Sequence, residues 1–223
     1  GANLKHLAGE NDTFLFTLFH YKFKFDTELG RDLFLNFGIE DAGLRSDWLH
    51  SFGTGKDLRM GGEINYYWAR LDAYFPRMPS EGSVDFDLTS AEKFRTQLKS
   101  EFWSPGIYAE QSWRFFDRFQ VALGGRYDYF AYNKTHDWSP RVQAAYDLSS
   151  RTTLKASWGW YHQLVVGAEL DPVFGNPGIK SNRSQATVLG VEQALGKNLQ
   201  ARVEGYHKKL TRVVVTDPVL NYS

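Results

Sequence analysis

Cysteine is absent from the 223 residues, so neither a disulfide framework nor a thiolate metal site can form. Long apolar runs are missing too: a membrane-crossing helix needs about 20 consecutive apolar residues, and every stretch here is broken sooner. Neither charge sign dominates, because 26 basic and 26 acidic residues give a formal net charge of +0. The global attraction that nucleic-acid binding uses is therefore lacking, and no nucleic-acid partner is expected. The opening GANLKHLAGENDT has no charged region followed by an apolar one, so no signal peptide is read there. A mean hydropathy of -0.45 is polar on average, yet a membrane wall built from strands hides its apolar residues in alternation. Only a helical membrane protein is excluded.

Aromatic residues are abundant instead, with 12 Tyr, 17 Phe and 7 Trp making 16% of the chain. Tyr and Trp suit surfaces where one end of the ring is dry and the other wet, such as carbohydrate sites, protein interfaces and membrane-interface girdles. Their setting is an alternation of period two. In WSPRVQAAYDLSSRTTLKASWGWYHQ, residues 138–163, Arg141, Gln143, Asp147, Lys155 and Ser157 share one face, while Val142, Tyr146, Leu154 and Ala156 share the other. FQVALGGRYDYF repeats the pattern with Arg126 and Asp128 opposite Leu123, Tyr127 and Tyr129, and LQARVEGYHKK with Arg202, Glu204 and Lys208 opposite Ala201 and Val203.

Tight turns at 51–57, 115–119, 147–153 and 194–198 alternate with longer connections after Phe75 to about Pro105, around Tyr132 to Asp137, and at 163–182. This order predicts an antiparallel up-and-down meander of about nine long strands: about 12–25, 33–50, 58–75, 106–116, 118–131, 139–148, 152–163, 183–194 and 198–212. The class is all-β. Strands this long favour a tall barrel wall over a small sandwich. Alternation alone fits either a soluble sheet with its charged face outward or a wide membrane barrel with that face in a wet lumen.

Two details favour the barrel. Aromatics collect toward the long-loop ends of strands, as Tyr127, Tyr129, Trp158, Trp160 and the run Tyr66, Tyr67, Trp68, where an outer interfacial girdle would lie. The apolar faces also mix Ala and Gly with Val and Leu, which suits lipid better than a close-packed core. The lumen-facing set is then Arg126, Asp128, Arg141, Gln143, Asp147, Lys155, Arg202, Glu204 and Lys208. The alternatives are a soluble aromatic-rich carbohydrate-binding module and a passive outer-membrane porin.

Three strings carry a resemblance: GIYAEQSWRFFDRFQVALGGRYDYF, the 138–163 stretch, and NPGIKSNRSQATVLGVEQALGKNLQARVEGYHKKL. Within them stand Tyr108 to Trp113, Leu123 to Asp128, Ser139 to Arg141, Asn176-Pro177 with Arg183-Ser184, and Gly190 to Glu192, in that order. Together they resemble the C-terminal half of the barrel of TonB-dependent outer-membrane receptors, over residues 106–212 and more loosely from about 36 to 75. Ile179 and Asn182 depart from the family pattern, which has Leu and Glu there. The resemblance implies a bacterial outer-membrane protein in contact with the lipid bilayer, importing a scarce large ligand through a plugged barrel. It also implies a plug domain of the same protein and a TonB-type energy-coupling protein as partners; the extracellular ligand is unspecified. Residues 1–223 are expected to be one incomplete barrel domain, with the plug domain and the final strands outside it, because plugged transporters have about 22 strands.

No catalytic constellation is found, and no cofactor, metal site or enzymatic activity is expected. His6, His20, His50, His136, His162 and His207 show no zinc spacing, and no Gly-x-Ser-x-Gly occurs. Asp137 beside His136 is the nearest approach to a catalytic pair. GTGK at 53–56 lacks the Ser/Thr and the helix of a phosphate loop and reads as a turn. Ligand contacts are expected on the long loops, with Phe102, Trp103, Phe174 and Asn176 as candidates and Tyr108 beside them.

Overall fold

The computed structural model describes residues 1–29, 32–76, 93–165, 170 and 176–214. Ten strands run in chain order: β1 Ala2–Ala8, β2 Asp12–Leu29, β3 Leu33–Ser51, β4 Lys56–Pro76, β5 Lys93–Phe115, β6 Phe119–Phe130, β7 Thr135–Ser149, β8 Thr152–Gln163, β9 Asn182–Ala194 and β10 Gln200–Thr211. Each pairs antiparallel with the next in one open ten-stranded sheet, with β1 and β10 at its edges. The meander expected from the turn spacing is present, with two corrections. GANLKHLA, assigned to no strand from the sequence, forms β1 and pairs with β2 from Ala2↔Leu18 to Ala8↔Asp12. β5 begins at Lys93 rather than 106, because its polar-rich first half pairs residue for residue with the upper half of β4. Phe102 and Trp103 therefore stand in the wall and not in a loop. The GTGK segment is the β3–β4 turn, with Gly53 and Gly55 at positive φ.

Register fixes the two faces. Residues paired across an antiparallel ladder share a face, so Arg45↔Glu63↔Gly106↔Asp128 lie in one row and Phe119↔Tyr146↔Leu154↔Val191↔Val203 in a row on the opposite side. The charged face is the crowded one. A Cβ added at Gly61 would come within 2.7 Å of Tyr108, and one at Gly106 within 2.5 Å of Asp128. On the apolar face, Gly125 and Gly205 have nothing within 4 Å. That asymmetry identifies the charged face as concave and the apolar face as convex. Leu123, Leu154, Leu189 and Val203 on the convex face are all exposed, and buried hydrophobics among the described residues are few: Ala73, Phe102, Val165 and Leu170.

The tall strands carry a further pattern. β2 to β5 have 18, 19, 21 and 23 residues, whereas a bilayer needs about 9–11 per tilted strand. On the convex face of β4, Leu58, Met60, Ile64, Tyr66 and Trp68 give way to Arg70 and Asp72; on β5, Trp113, Ala109, Ile107 and Trp103 give way to Glu101, Lys99, Gln97 and Arg95. β2 switches likewise from Phe14, Phe16 and Leu18 to Lys22, Lys24, Asp26 and Glu28. The concave face exchanges polarity in the opposite sense, from Arg45, Glu63 and Ser104 to Phe23, Phe37, Ile39, Leu71 and Leu98. Above the switch, convex charges pair across strands, as in Lys22–Glu40 at 2.5 Å and Arg95–Asp72 at 3.1 Å. The Lys22 hydrogen bond holds the Glu40 carboxyl below its ordinary pKa.

Height follows from this pattern. From Leu58 to Trp68 the strand climbs about 33 Å along its axis at about 3.3 Å per residue, or roughly 25 Å vertically at the usual tilt of about 35–45°. That is the height of a lipid-facing apolar band. Ala156 lies on the convex face beside Ala144 and Leu189, and Lys155 on the concave face. Ala156→Arg should cost about 2–4 kcal/mol in denaturant unfolding from lipid or detergent, and Lys155→Gln little; equal costs would contradict the assignment of faces.

Candidate functional site

The concave wall is the candidate site, and alternation places its side chains. Register puts Arg126, Asp128, Arg141, Gln143, Asp147, Lys155, Arg202, Glu204 and Lys208 all on the concave face. They fall into two groups. Arg126 bridges Asp128 at 2.6 Å and Glu63 at 2.5 Å, and Lys155 meets Glu192 at 2.6 Å, with Arg202 3.7 Å from Glu192 and hydrogen-bonded to Glu204. Asp147 accepts a hydrogen bond from Thr153 at 2.7 Å. Arg141 and Lys208 have no ion-pair partner among the described residues. Arg141 pairs across its strand with Gly124 on one side and Gly159 on the other, so its side chain stands over slots without neighbouring Cβ atoms.

Sequence reasoning missed the densest part of this wall. Asp47, 4% exposed, accepts from Arg45 Nε at 2.9 Å and from the Tyr108 hydroxyl, and Arg59 stands 4.0 Å away. The Arg45 and Arg59 guanidinium groups lie 5.6 and 5.9 Å from the Tyr108 ring centroid. With Glu63 3.9 Å from Arg45 and hydrogen-bonded to Arg126, this network joins β3, β4, β5 and β6 into one ion-paired surface. The signal was present as charges two residues apart, Arg45 and Asp47, and as Arg59 and Glu63 in the alternation of β4.

The aromatics sit on the other side. Tyr127, Tyr129, Trp158 and Trp160 have convex register positions, about seven to eleven residues above the short turns. Tyr127 packs on Trp138 at 4.8 Å and its hydroxyl lies 2.6 Å from His136 Nδ1; Tyr129 packs on His136 at 4.7 Å. Trp158 and Trp160 are 6.1 Å apart, and Arg183 lies over the Trp160 ring at 4.9 Å. Tyr66 packs against both Trp68 and Trp103 at 4.3 Å. Tyr67 leaves this girdle, because it alternates to the concave face and stacks on Phe102 at 5.0 Å.

The expected loop contacts fare differently. Phe102 is buried in the wall between Tyr67 and Tyr132, whose rings are 5.0 and 5.3 Å away, and Trp103 belongs to the convex girdle. Asn176 accepts from the Gly178 amide at 2.8 Å and shapes a turn. Phe174 lies outside the described residues. Asp137 and His136 separate onto opposite faces, and Asp137 instead approaches His162.

Comparisons with known proteins place this geometry. The family model for the TonB dependent receptor-like β-barrel matches residues 2–223. Over 133 residues the chain is 26% identical to the iron-regulated outer membrane virulence protein of Vibrio cholerae serotype O1, covering 53% of this chain and 20% of that protein. Among solved structures, the unliganded ferric citrate transporter FecA superposes with a TM-score of 0.68 at 13% identity, covering 91% of this chain and 32% of that one. The copper transporter OprC gives 0.63 at 15%, with coverages of 89% and 36%. The chain thus spans about a fifth of its curated relative and about a third of these structures. The curated relative is named an outer membrane protein and both structures are transporters, and with its family model matched over nearly the whole length, the chain belongs to the TonB-dependent receptor β-barrel family.

Proposed function

We propose that the chain forms part of the wall of a TonB-dependent importer that takes up a scarce metal chelate through a plugged barrel. The carrying observation is the convex apolar band, about 25 Å tall and edged by Tyr66, Trp68, Trp103, Tyr127 and Trp138. Its counterpart is the concave charged wall, which lines the lumen in this reading, faces the plug and gives a polar cargo a wet path. The plug domain and the closing strands belong to the same full-length product, and a TonB-type protein supplies the energy. Relatives named for iron regulation and ferric citrate support the choice of cargo. No enzymatic step is assigned to the wall, where Arg126, Lys155 and Arg202 are engaged in ion pairs.

Arg141 and Lys208, without ion-pair partners among the described residues, are free to meet a passing anion or the plug. Phe23, Phe37 and Leu98, above the switch on the concave side, give the vestibule an apolar lining.

Cells expressing the full-length protein should accumulate its ferric chelate only when TonB is present, and the protein should fractionate with the outer membrane and migrate faster on gels before boiling. Uptake that persists without TonB would indicate a passive pore. A double-mutant cycle on Arg126→Ala and Glu63→Ala should give a coupling of about 0.5–3 kcal/mol by denaturant unfolding. A coupling of zero would mean that the wall network is not formed.

A further inference from the structure

The β7–β8 ladder ends at Arg141↔Gly159, while β8 stays paired with β9 as far as Gln163↔Asn182. Above Gly159 the wall splits, and Asp137, Ser139 and His162 meet at the split. Asp137 is 1% exposed, and neither carboxylate oxygen has a hydrogen-bond partner. The His162 side chain is 5% exposed, with Nε2 3.9 Å from Asp137 Oδ1 and Nδ1 3.0 Å from Ser139 Oγ. Ser181 is fully buried with its hydroxyl unpaired, and Ser184 Oγ and Trp160 Nε1 are also buried without partners. Five of the eight buried side-chain polar atoms without partners among the described residues come from the upper parts of β7 and β8 and from residues 181–184 at the start of β9.

A buried carboxylate with no partner is expensive, and native structures satisfy such groups with a donor, a water or an ion. Direct pairing with His162 does not do this, because 3.9 Å is too long for a hydrogen bond. Two metal bonds of about 2.1 Å at a tetrahedral angle would set their ligand atoms roughly 3.4 Å apart, so a closure of about half an ångström would bring both groups onto one ion. Ser139 supplies the remaining requirement. Accepting from Nδ1–H, it would fix the imidazole tautomer and leave the Nε2 lone pair toward Asp137, as partners behind metal-binding histidines do.

We propose that Asp137 and His162, oriented by Ser139, bind a divalent transition cation of the zinc class at the split between β7 and β8. Imidazole with carboxylate suits such cations better than calcium or magnesium, which prefer all-oxygen sites. Among the described residues no third His, Asp or Glu completes the set, so water or an exogenous ligand takes the open positions. The bound ion would neutralise Asp137 and tie β7 to β8 where their ladder is missing. This site stands apart from the uptake reading, since it needs neither cargo nor TonB.

The test uses the receptor expressed from its complete coding sequence, purified in detergent and stripped with chelator. Zinc is titrated against a chromophoric competitor, and Cu2+ is added separately for electron paramagnetic resonance. One zinc per chain is expected, lost in Asp137→Asn and in His162→Gln, and weakened about tenfold in Ser139→Ala. Faster gel migration before boiling verifies that each variant is folded. The copper spectrum should show coupling to one nitrogen that disappears in His162→Gln, a readout that holds even where Asp137→Asn fails to fold. No zinc uptake by the parent protein, or uptake unchanged in the His162 and Asp137 variants, would overturn the site. A His162-independent copper spectrum would do the same.

Discussion

Antiparallel pairing of each strand with the next, from β1 to β10, is the constraint on which the other features rest. Inside a hydrocarbon layer no water can satisfy a stray amide or carbonyl, so backbone groups must pair between neighbouring strands. Where a strand pairs on both sides, its side chains have no freedom to choose a face. A shift of β8 by one residue against β7 and β9 would carry Lys155 to the convex, lipid-facing side and Ala156 to the concave side. Here the register keeps Phe119, Tyr146, Leu154, Val191 and Val203 in one row, so the convex surface stays apolar across five strands. The concave surface can then be polar without cost to insertion, and ion pairs accumulate there.

The polarity exchange along β2 to β5 follows from the same rule applied to strands longer than a bilayer. Below the switch the convex side meets lipid and is apolar; above it that side meets water and carries Lys24, Asp26, Arg70 and Lys99. The backbone alternation continues without a break while the chemistry of each face reverses. Tyr66, Trp68 and Trp103 mark the level at which it does so, where amphipathic rings are most at home. The aromatic girdle and the reversal are two signs of one boundary.

Much of this was legible in the sequence because period-two alternation survives averaging over short strands. β6 to β10 have 12 to 15 residues and lie mostly within the band, and on β6, β7, β8 and the lower part of β10 the Arg, Lys, Asp and Glu residues keep to one face, so Arg126, Lys155 and Arg202 could be assigned from spacing alone. β5 was harder to read. Its upper half, KFRTQLKSEF, puts Phe94, Leu98 and Phe102 on the concave side and charges on the convex one, a strand pattern with its faces exchanged. Taken for a loop, it led to Phe102 and Trp103 being read as ligand contacts. Asp47 and Glu63 were missed because their significance lies in partners 61 and 63 residues away, Tyr108 and Arg126, which no local spacing discloses. The Asp137–His162 approach was hidden for the same reason: Asp137's sequence neighbour, His136, faces the other way.

Because the chain has no cysteine, single cysteines can be placed along β4 from Leu58 to Ala73 and spin-labelled in lipid bilayers. Collision rates with oxygen and with a water-soluble relaxation agent then report each position's surroundings. Positions 58, 60, 64 and 66 should favour oxygen, positions 59, 61, 63 and 65 the aqueous agent, and the convex preference should reverse at 70 and 72. Period-two accessibility with no reversal above Trp68, or no lipid exposure at 60 and 64, would contradict a lipid-facing wall that rises beyond the membrane.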